Sequence, residues 1–94
     1  MRIIGYLEEV TDMKVTFFEQ GLRYSIKFED GLYEQTYKFR QGEGMSNLKE
    51  LKALVDQPFL EAVRTQFEQM REQVSGLLSR QFPAQDETEA IFII

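Results

Sequence analysis

Ninety-four residues, 43% hydrophobic and 29% charged, suit one compact domain and exclude both a wholly disordered chain and a two-domain one. With no cysteine and no histidine, disulfides are impossible and zinc or another transition metal is not expected; no cofactor is implied either. A net charge of −5 argues against a generic nucleic-acid or anionic-membrane binder, although it permits a local basic patch.

Residues 2–9 are rich in strand formers (Ile3, Ile4, Tyr6, Val10 just beyond) and are read as a first strand, turning near Thr11-Asp12. Residues 1–7 run into Glu8-Glu9 with no apolar stretch suited to export, and nothing approaches the ~20 apolar residues of a membrane span. The cytoplasm is the expected compartment, and no membrane association is expected.

From Met13 to Arg40 apolar and polar residues alternate with period two, giving strands at 13–19, 22–29 and 32–40. Gln20-Gly21 and Asp30-Gly31 punctuate them as two-residue hairpin turns. If these pairs occupy the loops, Phe28 faces Tyr33, Ile26 faces Gln35 and Tyr24 faces Tyr37. On the other side, Phe17 faces Tyr24 and Val15 faces Ile26. One sheet face is then apolar. The other carries Lys14, Phe18, Arg23, Lys27, Lys38 and Arg40 among hydroxyls and acids, and is expected to meet water.

Gly42 and Gly44 end the strands. Asn47 followed by Glu50 matches a relaxed capping box, and Leu48, Leu51, Leu54 and Val55 make one face of a short helix over 47–56. Pro58 opens a long helix over 58–82. Its seam of Leu60, Val63, Phe67, Met70, Val74 and Leu77 follows 3-4-3-4-3 spacing, with Leu78 widening it. At ~1.5 Å per residue this helix outruns strands of eight residues, so Val74, Leu77, Leu78 and Phe82 are expected to overhang the sheet. The chain thus reads as an α+β domain over 1–83, a meander of three to four strands covered by helices. An acidic spacer and apolar tail follow over 84–94, where Ile91, Phe92, Ile93 and Ile94 suit a further strand or a docking segment.

Catalytic constellations are weak. Ser25, Ser46, Ser75 and Ser79 have no histidine or cysteine partner, and the Glu8-Glu9 and Glu68/Glu72 pairs read as solvated charge. Gly42-Glu43-Gly44 before a helix is a poor phosphate cradle because Glu43 repels an anion. Tyr24, Tyr33, Tyr37 and Gln35 share the inner face, where they line either a small-molecule pocket or the rim of the core.

The expected function is therefore non-enzymatic protein–protein association, most simply as a homodimer through the long helix, the C-terminal tail or both. The alternative is single-stranded nucleic-acid binding through Lys14, Phe18, Arg23, Lys27, Lys38 and Arg40.

Overall fold

A computed structural model describes residues 1–83; the expectations for Ile91, Phe92, Ile93 and Ile94 lie outside the described residues. Four strands, β1 (Arg2–Tyr6), β2 (Lys14–Gln20), β3 (Arg23–Asp30) and β4 (Tyr33–Arg40), form one antiparallel sheet in sequence order. Two helices follow, α1 (Leu48–Leu54) and α2 (Gln57–Gln81).

The hairpin register departs from the sequence reading by two residues. Gln20 pairs with Arg23 and Asp30 with Tyr33, so the loops are Gly21-Leu22 and Gly31-Leu32. Each glycine takes the first loop position with positive φ, +59° at Gly21 and +61° at Gly31, while the leucines that follow do not. This is the type II′ pattern, which demands a glycine only at that first position. Phe28 consequently faces Gln35, Ile26 faces Tyr37, and Phe17 faces Ile26. Because the displacement is even, every side chain keeps its expected face.

β1 differs more. It ends at Tyr6 and turns at Glu8-Glu9, where the Val10 amide donates to the Leu7 carbonyl at 3.4 Å, rather than at Thr11-Asp12. A bulge leaves Ile4 unpaired between the Ile3–Phe18 and Gly5–Phe17 pairs. That extra residue turns Ile3 and Tyr6 to the outer face while Gly5 looks inward.

The inward glycine has a packing reason. A Cβ on Gly5 would lie 2.7 Å from Leu48 Cδ2, so α1 lies close against β1. Gly5→Val is expected to cost about 1–3 kcal/mol by overpacking, read as a lower urea midpoint, and Gly5→Ala less because the tip of Leu48 can shift. An unchanged midpoint for the valine variant would contradict this contact.

Both helices start as the sequence suggests. Asn47 caps α1 by accepting from the Glu50 amide at 2.9 Å, and the Glu50 carboxylate accepts from the Ser46 amide at 2.9 Å and from its hydroxyl. Asp56 caps α2 by accepting from the Phe59 amide at 2.9 Å, with Pro58 in the first turn. The core joins Met13, Val15, Phe17, Tyr24, Ile26 and Phe28 of the sheet's inner side to Leu51, Val55, Leu60, Val63 and Phe67.

Candidate interaction surfaces

The space proposed as a pocket is occupied by the fold itself. Phe59 meets Tyr37 and Phe28 edge-to-face, with ring centroids 5.1 and 5.7 Å apart, and Phe67 is fully buried. Tyr24 is buried, and Tyr33 and Tyr37 stand at the margin of the core. Gln35 is buried and doubly bonded: its amide nitrogen donates to the Val63 carbonyl at 2.9 Å, and the Tyr37 hydroxyl donates to its oxygen at 2.6 Å. These residues hold α2 against β4.

Ion pairs fix the path of α2 further along. Arg64 donates two bonds to the Asp12 carboxylate, at 2.8 and 3.1 Å, and Arg71 reaches Asp30 at 3.1 Å and Glu68 at 2.7 Å. The Arg64 hydrogen bonds hold the Asp12 carboxyl below its ordinary pKa. The small stabilisation this lends is present at neutral pH and is lost as pH falls through the depressed value. Between these pairs lies an open cleft of about 250 Å³, also lined by Met13, Thr65 and Phe67, whose three carboxylates are largely offset by its two guanidiniums.

Arg71 marks the end of the sheet, because Asp30 is the last residue of β3. Met70 is the last seam residue packed on the core. From there to Gln81 the helix continues for about 15 Å at ~1.5 Å per residue. Val74 and Leu78 are only partly buried, and Leu77 and Phe82 are 45% and 47% exposed. The four overhang residues expected from the sequence are thus brought together on the last two turns or so of α2 and its C-cap, beyond the sheet.

The outer sheet face carries rows that the corrected register re-sorts. Ile3, Phe18, Ser25 and Lys38 form one row; Tyr6, Thr16, Lys27 and Thr36 the next. At one end Arg23 stands directly opposite Arg40; at the other Lys14, Glu29 and Glu34 align. Lys27 lies 3.5 Å from Glu34 and 3.9 Å from Glu29, and Lys14 sits over the Tyr6 ring at 5.8 Å. No described helix packs on this side. Thr16 and Ser25 are nevertheless buried among the longer side chains, so the face is a packed layer.

Sequence reasoning missed Ile3 and Tyr6 on this face, because only the Ile4 bulge turns both outward. It also missed the tips Leu22 and Leu32, 79% and 78% exposed, which a glycine-first turn would have revealed. Among the described residues no cluster of acidic side chains is arranged to hold a metal, and no helix is long and apolar enough to cross a membrane. No protein-family model, curated protein or solved structure gives a significant match to this chain.

Proposed function

We propose that this chain works by self-association, as a non-enzymatic cytoplasmic homodimer joined through the projecting end of α2. The observation that carries the reading is the seam itself. Its first half, Leu60, Val63 and Phe67, is buried on the sheet, and the same periodic stripe runs on through Val74, Leu77 and Leu78 where no sheet lies beneath. A second copy offers an identical stripe, and two such stripes packed about a two-fold axis bury each other. A chain of this size gains little margin from its own core, so burial of a shared stripe adds stability where it is scarce. The sequence expectation that Ile91, Phe92, Ile93 and Ile94 join the same contact is part of this proposal.

Sedimentation velocity at micromolar concentration is expected to give twice 11.1 kDa, about 22 kDa. Leu77→Glu combined with Leu78→Glu is expected to return the chain to its monomer mass with its unfolding midpoint little changed, because neither side chain belongs to the core. Removing residues 84–94 separates the contribution of the tail from that of the helix. A wild-type chain that sediments as a monomer throughout would overturn the proposal.

A further inference from the structure

Three cations gather at one end of the outer face without a carboxylate partner among the described residues. They are Arg23, Arg40 and Lys38, all exposed. Arg23 and Arg40 are direct cross-strand partners, an arrangement that costs stability when nothing anionic sits between them. The acids of this face, Glu29 and Glu34, lie at its opposite end and are engaged by Lys27. Beside the cations, on β1 and β2, Ile3 is 51% exposed, Tyr6 is 41% exposed and Phe18 is partly buried. The face therefore has an aromatic and apolar half next to a cationic half.

We infer that this face binds single-stranded nucleic acid, phosphates on Arg23, Arg40 and Lys38 and bases stacked against Phe18 and against Tyr6, where a base takes the place of Lys14 over the ring. The spacing suits it. Phe18 and Lys38 share a row two strands apart, about 10 Å between backbones at ~4.8 Å per strand, which their side chains narrow to a base-to-phosphate span. A single strand offers accessible base faces and tolerates any sequence on such a platform. A duplex keeps its bases stacked inside. This site is separate from the α2 overhang, so the inference stands or falls independently of the dimer.

The test is fluorescence anisotropy of the full chain with labelled ten-nucleotide oligo-dT and oligo-rU across a salt series. With three phosphate contacts, log affinity is expected to fall against log salt with a slope of about −2, at ~0.7 per contact on a single strand. Tyr6→Ala should weaken binding about fivefold or more while leaving that slope in place. Arg40→Glu places opposite charges across from one another, so its melting temperature should hold or rise while affinity drops about tenfold and the slope shrinks. That opposition separates a ligand site from a structural role. The inference is overturned if no binding occurs at low salt, or if Arg40→Glu leaves affinity and slope unchanged. It is also overturned if a glutamate-rich decapeptide competes as well as the oligonucleotide, or if a duplex of equal length binds as tightly.

Discussion

Phe67→Ala is expected to remove about 3–5 kcal/mol of folding stability, the usual cost of emptying a phenylalanine site in a closed core. Phe67 is 1% exposed and belongs to the core cluster that joins α2 to the inner face of the sheet, with Val63, Ile26 and Phe28 among its members. Its neighbours are held by strand pairing on one side and by the Gln35 and Arg64 links on the other, so they collapse little into the space left behind. Against a total of about 5–15 kcal/mol for a domain, and the low end for so small a chain, the loss leaves the protein marginal. Urea unfolding followed by circular dichroism measures it. A shift below 1 kcal/mol would mean that α2 does not close the core in this way. Met70→Ala, at the rim, should cost clearly less.

Gln35→Glu is expected to cost about 2–4 kcal/mol at pH 7, and far less at pH 4. The amide of Gln35 is oriented by its neighbours: the Tyr37 hydroxyl donates to the oxygen, so the nitrogen faces the Val63 carbonyl. An ionised carboxylate there sets an acceptor against an acceptor in a buried place. Both effects favour the protonated form, raising the folded-state pKa of the introduced carboxyl above its unfolded value near 4.3. The folded protein then binds the extra proton, so stability declines as pH rises from about 4.3 through the raised value. Below that window the neutral acid can donate to Val63 and most of the loss disappears. Equal deficits at pH 4 and pH 7, relative to wild type, would show that Gln35 is not held as described.

The faces of the meander were legible in the alternation from Met13 to Arg40, because period two survives any even displacement of the register. The register itself was not. Reading Asp30-Gly31 as the loop assumed a turn with positive φ at both positions, whereas Gly31-Leu32 needs it only once and leaves Asp30 free to pair with Tyr33. Both turns admit the same local sequence, and alternation alone does not choose between them because an even displacement keeps every side chain on its face. The Ile4 bulge had no local signal either. The bulge sets Gly5 inward against Leu48, more than forty positions away in the chain.

Helix limits were more transparent, since Asn47, Glu50 and Pro58 act on their immediate neighbours, although the capping role of Asp56 was not read. The overhang also followed from arithmetic on lengths, and the structure places Leu77 and Phe82 in the open as that arithmetic required. The ion pairs were opaque. Asp12 and Arg64 are 52 positions apart, and only the packing of α2 on the sheet brings them together. The same holds for the basic end of the outer face, where the corrected register sets Arg23 against Arg40.

The order of the sheet also bears on the birth of the chain. Every strand pairs with its sequence neighbour, so the sheet is complete once residue 40 has been made, whereas its cover is finished only with Met70. At ~5–20 residues per second, thirty residues of synthesis take about 1.5–6 s. Through that interval Phe17, Ile26 and Phe28 have at most α1 above them, and a nascent chain of this protein shows an apolar sheet face until α2 follows.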